Sequence, residues 1–243
     1  MMKEWFKPIF SDRMFDLINE DIRDLLDVSL INQKQNQTMF KLLSNSIYRK
    51  AEENPAYYNL TEIFGNNNPL HLEIGCGKGQ FIAELAKRNP DINYVAIEVC
   101  DDVAVLACER VKNAGLSNVR FMVCGAEYIL KYFMESSVER IYLNFSCPYP
   151  KVRYAKHRLT SPIFLPMYKK LLKNGGEIHQ KTDNMHFFEY SIEKYSELGF
   201  KMQNVSLDLH KSDFEGNIVT EYEQRFLDLG QPIYRLEAVN IKE

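Results

Sequence analysis

The run Leu72-Glu73-Ile74-Gly75-Cys76-Gly77-Lys78-Gly79 joins a β-like stretch, Leu70–Ile74, to a helical one, Phe81–Lys87, through three glycines spaced by single residues. Glycines at such a junction let the backbone turn tightly and come close to a ligand, in the crevice beyond the carboxyl end of a strand where open α/β sheets bind small molecules. The spacing separates the candidate ligands. A dinucleotide fingerprint needs Gly-x-Gly-x-x-Gly, but Gln80 follows Gly79, and a phosphate loop needs Gly-Lys-Ser/Thr, whereas Lys78 precedes Gly79. Both nucleotide patterns fail, and a plain glycine turn without a ligand is the bland alternative.

Outward from this loop, short β-like runs alternate with helical patterns: Tyr94–Ile97, Val103–Ala114, Val119–Val123 and Ile141–Phe145, then Phe164–Leu172 as helix, Gly175-Gly176 as its stop, Glu177–Lys181 as strand and Phe187–Leu198 as helix. Lys201–Leu209 and Ile233–Val239 follow as β-like runs. The alternation implies βαβ units and a mostly parallel sheet. Before the loop, Phe15, Ile18, Ile22, Leu25 and Leu26 recur at helical spacing after Ser11-Asp12, as do Met39, Phe40, Leu43 and Ile47, and Asn66-Asn67-Asn68-Pro69 marks a turn. The expected organisation is an N-terminal helical extension over 1–69 and the main α/β domain over 70–243.

The 243 residues suffice for one such domain with an appendage, and 45% hydrophobic with 26% charged residues is ordinary globular composition. No apolar run is long enough to span a bilayer and no secretory leader is evident, so a cytoplasmic protein without a membrane partner is expected. Five cysteines (Cys76, Cys100, Cys108, Cys124, Cys147), with no Cys-x-x-Cys pair, argue against a disulfide framework and a zinc site. The histidines lack the i, i+4 pairing of a helix-borne metal site, and no metal is expected. Net charge is −3, and 1–69 is acidic on balance, so nucleic-acid binding would have to come from a local patch.

Two further features carry chemistry. Glu98 ends the second β-like run, 25 residues after Glu73, where a carboxylate can accept hydrogen bonds from both hydroxyls of a ribose. Lys151-Val152-Arg153-Tyr154-Ala155-Lys156-His157-Arg158 contains four permanent cations and no acid, directly after Asn144-Phe145-Ser146-Cys147-Pro148-Tyr149-Pro150. Phosphate neutralisation dominates nucleic-acid affinity, so this is where RNA would be held; a solvated charged loop is the alternative.

An acid followed by Gly-x-Gly-x-Gly resembles the first motif of S-adenosylmethionine-dependent methyltransferases. Together with Lys151 to Thr160, Lys181-Thr182-Asp183-Asn184, Phe188-Glu189-Tyr190, Leu207-Asp208-Leu209-His210, Asn217-Ile218-Val219-Thr220-Glu221-Tyr222-Glu223 and Gly230-Gln231-Pro232-Ile233-Tyr234-Arg235, the chain from Leu70 to Ala238 resembles the bacterial tRNA (guanine-N(7))-methyltransferases. The resemblance implies a class I, Rossmann-like, seven-stranded and mostly parallel α/β sheet, S-adenosyl-L-methionine as cofactor, tRNA as partner, and methylation of ring nitrogen 7 of a variable-loop guanosine. It implies a cofactor site at Glu73, Gly75, Gly77, Gly79, Glu98, Gly125, Ala126 and Cys147, and a substrate site at Lys151, Arg153, Lys156, Arg158, Asp183, Thr220, Glu221, Tyr222 and Glu223. The chain departs from the family pattern where Cys147-Pro148-Tyr149 replaces Asp-Pro-Trp and Gly125 replaces an Asp, removing two of four expected acids. Cys147 thus stands at the position of the family's catalytic Asp. A diverged paralogue binding RNA or cofactor with little turnover is the rival reading, and monomer and homodimer are both left open.

Overall fold

A computed structural model describes residues 57–242. The two amphipathic stretches before residue 50 lie outside the described residues. What is described builds a seven-stranded sheet in the order β3-β2-β1-β4-β5-β7-β6 from β1 (Leu70–Ile74), β2 (Asn93–Glu98), β3 (Val119–Val123), β4 (Val138–Asn144), β5 (Leu172–Thr182), β6 (Phe200–Ser206) and β7 (Tyr234–Asn240). The pairs β2·β3, β1·β4 and β4·β5 are parallel, and β7 runs antiparallel to both its neighbours. This is the mostly parallel α/β sheet expected. The helices are α1 (Leu60–Phe64), α2 (Gln80–Arg88), α3 (Asp101–Asn113), α4 (Leu165–Leu171), α5 (Met185–Glu197) and α6 (Glu221–Asp228).

The chain divides into two compact units. The first holds 57–68 and 76–134. Here α2 turns Phe81, Ile82, Ala83 and Ala86 inward, and α3 buries Ala104, Val105, Ala107, Cys108 and Val111, the one-sided apolar stripe that docks a helix on a sheet. Asn118, buried, donates through Nδ2 to the carbonyls of Ala86, Asn89 and Ile92, so the end of α2 and the start of β2 share one anchor.

The second unit holds 69–75 and 135–242. All five residues of β1 are buried, the polar His71 and Glu73 included, as befits a strand paired inside a parallel sheet. Glycines 175 and 176 do not stop the preceding helix. That helix ends at Leu171, and the glycines lie inside β5 at a register shift opposite Val138 and Arg140. Gly175 has φ +77°, and a β-carbon on Gly176 would stand 3.0 Å from the Glu139 carbonyl oxygen. A bulge with close backbone approach explains the pair better than a helix stop.

Candidate functional site

The glycine loop leaves β1 at Gly75 and enters α2 after Gly79. Gly75, Gly77 and Gly79 all have positive φ, and a β-carbon on Gly79 would lie 2.7 Å from Ala107 Cβ and 2.9 Å from Ala107 Cα. The third glycine is therefore required by both conformation and packing against α3. The Gly77 N–H donates to Glu98 Oε2 at 2.9 Å, and Glu98 Oε1 accepts from the N–H groups of Val99 (2.8 Å) and Cys100 (3.0 Å). Glu98, at the end of β2, thus fixes the loop. A carboxylate has about four lone-pair positions, so these bonds leave capacity for hydroxyl donors. At the neighbouring strand end, the Cys124 N–H donates to the Glu98 carbonyl (3.0 Å), and Gly125 begins a 3₁₀ turn over Ala126–Lys131 in which Ala126 is buried.

In the second unit Glu73 is buried at the end of β1 and accepts from Asn144 Nδ2 at 3.1 Å, across the parallel β1·β4 pair. Beyond Asn144 the chain bends sharply: Phe145 (φ +52°) and Tyr149 (φ +40°) both adopt the left-handed region. Bulky residues rarely do so, at a cost of roughly 1–3 kcal/mol each, and such strain concentrates at functional sites. The bend is pinned by the Phe145 N–H donating to the Lys181 carbonyl at 2.8 Å, and it leaves Cys147 exposed.

Lys181, at the end of β5, is buried. Its ammonium donates to Glu223 Oε2 (2.7 Å), Ile218 O (2.9 Å) and Asn217 Oδ1 (3.1 Å), which uses all three of its N–H bonds. Burial lowers its pKa and Glu223 opposes that shift. Glu223 is fully buried and its other oxygen accepts from Asn217 Nδ2 at 2.7 Å. Thr220 caps α6 by accepting from the Glu223 N–H at 3.0 Å. The Tyr222 ring, exposed, lies 5.1 Å from both Phe145 and Phe226. Asp183 is half-buried, which pushes its carboxyl up, and the Tyr222 phenol is raised by burial, then by the charge of Asp183. Glu221 is exposed at the start of the same helix.

The cationic segment folds as a 3₁₀ turn over Val152–His157 instead of an irregular loop. Lys151, Arg153 and Lys156 are exposed. Arg158 is not: it donates from Nε to Pro148 O (2.9 Å) and from Nη2 to Tyr149 O (3.0 Å), with its guanidinium 4.3 Å from the Tyr190 ring centroid. Among the described residues, Glu177, His179 and Glu237 bring ligand atoms within 4.8 Å of one another, but Arg140 and Arg235 already pair with the two carboxylates, so the cluster is a charge-balanced network within the sheet.

The sequence reading missed Asn144, Lys181 and Asn217 as site residues, and it missed α6 entirely. Thr220-x-x-Glu223 is a capping-box pattern that would have located the helix, except that Glu223 turns its carboxylate to Lys181 and Asn217.

Residues 67–236 match a family described as "Putative methyltransferase". The chain is 51% identical over 190 residues to a tRNA (guanine-N(7)-)-methyltransferase of Bacillus velezensis, covering 77% of this chain and 88% of that protein. It is 50% identical over 198 residues to one of Listeria monocytogenes (78% and 92%), and 47% over 196 residues to one of Streptococcus pneumoniae (77% and 93%). Among solved structures, the 16S rRNA methyltransferase KamB superposes with a TM-score of 0.56 at 15% identity (76% and 95%), and an antibiotic-related methyltransferase with 0.54 at 21% (75% and 92%). These two share the fold.

Proposed function

We propose, for a chain that belongs to the tRNA (guanine-N(7)-)-methyltransferase family, that it transfers a methyl group from S-adenosyl-L-methionine to ring nitrogen 7 of a guanosine in the variable loop of tRNA. The observation that carries the reading is the Gly77–Glu98 hydrogen bond, which fixes a glycine turn and a strand-end carboxylate as one cradle. Bound there, the cofactor would supply a sulfonium methyl to the free lone pair of guanine N7 with the thioether as leaving group, and no general base would be needed. This chain's contribution is therefore positioning, which can account for roughly 7–11 kcal/mol of a barrier.

Glu98 takes the ribose hydroxyls with its remaining lone pairs. Gly75, Gly77 and Gly79 allow close backbone approach, and Glu73, tethered by Asn144, serves the cofactor from the end of β1. Asp183, Tyr222 and the start of α6 at Thr220 and Glu221 hold the guanine, while the Lys181–Glu223 pair keeps that helix in place. Lys151, Arg153 and Lys156 take phosphates, and Arg158 fixes the segment that bears them. The methyltransferase domain is assigned to 70–243, working in the cytoplasm with tRNA. Among the described residues no helix is long and apolar enough to cross a membrane.

The test is incubation of the full chain with methyl-labelled cofactor and unmodified tRNA, followed by nucleoside analysis. Label is expected in 7-methylguanosine. No incorporation at high enzyme concentration would overturn the reading and favour the non-catalytic paralogue.

A further inference from the structure

The resemblance to the family implies an acid after β3 where this chain has Gly125, yet the structure does not leave that position without a carboxylate. The 3₁₀ turn over Ala126–Lys131 starts at Gly125, whose carbonyl accepts from the Tyr128 N–H at 3.1 Å. This turn folds Glu127 back over residue 125. Its carboxylate carbon and Oε1 lie 2.6 Å from where a β-carbon on residue 125 would stand, and Oε2 is nearer still. That is about the two-bond reach at which an aspartate's own oxygens stand from its β-carbon. The same carboxylate is felt by the Cys124 thiol, which burial first and Glu127's charge second push up to about 12. Glu127 is exposed and therefore able to meet a ligand.

We infer that Glu127 is the cofactor-specificity acid of this chain, its carboxylate replacing the missing side chain at 125 and accepting a hydrogen bond from the exocyclic amine of the adenine. The glycine and the glutamate form one device. In this placement a β-carbon at 125 would overlap the Glu127 carboxylate, so a side chain there competes with it for one space, and an acid at 125 would both displace it and repel it. The placement suits the base, because Gly125 lies two residues past the end of β3, next to Cys124, whose N–H donates to the Glu98 carbonyl at 3.0 Å, and Glu98 is the residue proposed for the ribose; β2 and β3 are in parallel register as far as Glu98 and Val123. This inference rests on the adenosyl-cofactor reading above.

Calorimetric titration of the full chain with S-adenosylhomocysteine and with S-inosylhomocysteine, whose 6-oxo group replaces the amine, tests it without requiring turnover. Wild type should prefer the adenosyl ligand. Glu127→Gln should bind it roughly tenfold more weakly, the loss carried by one charge-assisted hydrogen bond, and should narrow the preference because an amide donates as well as accepts. Gly125→Asp alone should gain little. Gly125→Asp combined with Glu127→Gln should recover wild-type affinity, a coupling that two independent residues would not show. If wild type binds and Glu127→Gln matches it in both affinity and preference, with unchanged thermal unfolding, the inference is wrong. If wild type binds neither ligand, the cofactor reading itself fails.

Discussion

Lys181 and Glu223 form an ion pair with Nζ and Oε2 2.7 Å apart, the lysine side chain 6% and the glutamate 0% exposed. Neither can be reached by a large substrate in this arrangement, so the pair's effect on function passes through the 217–223 segment it holds. Breaking a buried pair leaves an uncompensated charge and costs about 3–5 kcal/mol, while replacing both partners with apolar groups is often neutral. Glu223→Gln should accordingly lower stability in urea unfolding by about that amount. Lys181→Met with Glu223→Met should recover most of it and still lose methylation, because Asn217 no longer has its anchor. Unchanged stability in Glu223→Gln would refute the assignment.

The basic segment divides into two roles that salt can separate. Each phosphate contact contributes roughly 0.7–0.9 to the slope of log K against log salt. Arg153→Ala and Lys156→Ala should each reduce the slope of tRNA binding by about that amount with little change in thermal stability. Arg158→Ala should leave the slope nearly intact and lower the unfolding temperature. Arg158→Lys should not rescue it, since an ammonium cannot reproduce the fork that reaches the Pro148 and Tyr149 carbonyls while stacking on Tyr190. A reduced slope in Arg158→Ala would return this residue to the phosphate-binding set.

Cys147 is exposed, at the position where the resemblance implies an acid. Cys147→Asp should raise the single-turnover methylation rate at saturating cofactor about tenfold, corresponding to about 1.4 kcal/mol of transition-state stabilisation. A flat or slower rate would show that the site has been rebuilt around other groups. In the unmodified chain, a thiol reagent should label Cys100 and Cys147 readily. Cys108 and Cys124 should resist, because burial pushes both thiols up to about 12.

Acidification should weaken the fold over a defined window. Glu177 is lowered from 4.5 to about 2, first by its hydrogen bond with His179 and then by Arg140, so its stabilisation is complete above 4.5 and is lost as pH falls toward 2. His71 is lowered from 6.5 to about 3, chiefly by burial. The unfolded chain therefore binds a proton that the native state refuses, and stability declines as pH falls from 6.5 toward 3. Urea unfolding from pH 7 to 3 should show a continuous fall. His71→Gln should flatten the upper part and Glu177→Gln the lower; a pH-independent free energy across this range would contradict both.

The parallel part of the sheet was legible because short β-like runs such as Leu70–Ile74 and Tyr94–Ile97 alternate with helical patterns, and because the glycine spacing admits few loops. Glu98 was legible by its place at a strand end. Gly175-Gly176 misled because a bulge and a helix stop call for the same residue type, and only the partner strand distinguishes them. Lys181 and Asn217 were hidden for a different reason: their partners lie 42 and 6 residues away at Glu223, and no local pattern announces a buried charge pair. The Glu127 arrangement was invisible as well. From the letters alone, Gly125 is a deletion of function, whereas in three dimensions it is a space filled by a neighbour.

The antiparallel placement of β7 also orders events during synthesis. β6 enters the sheet only through β7, which is also the partner of β5. On the ribosome, residues 200–206 emerge before 234–240, so β6 waits as a nascent strand with neither edge paired, and β5 keeps one edge open until the same moment. The 207–223 segment, which carries Asn217, Thr220 and Glu223, emerges during this wait. The guanine-binding half of the proposed site is thus assembled late, in the same event that closes the sheet, and a chain stalled before residue 234 would display three unpaired β-edges, two of β6 and one of β5, to chaperones and to its neighbours.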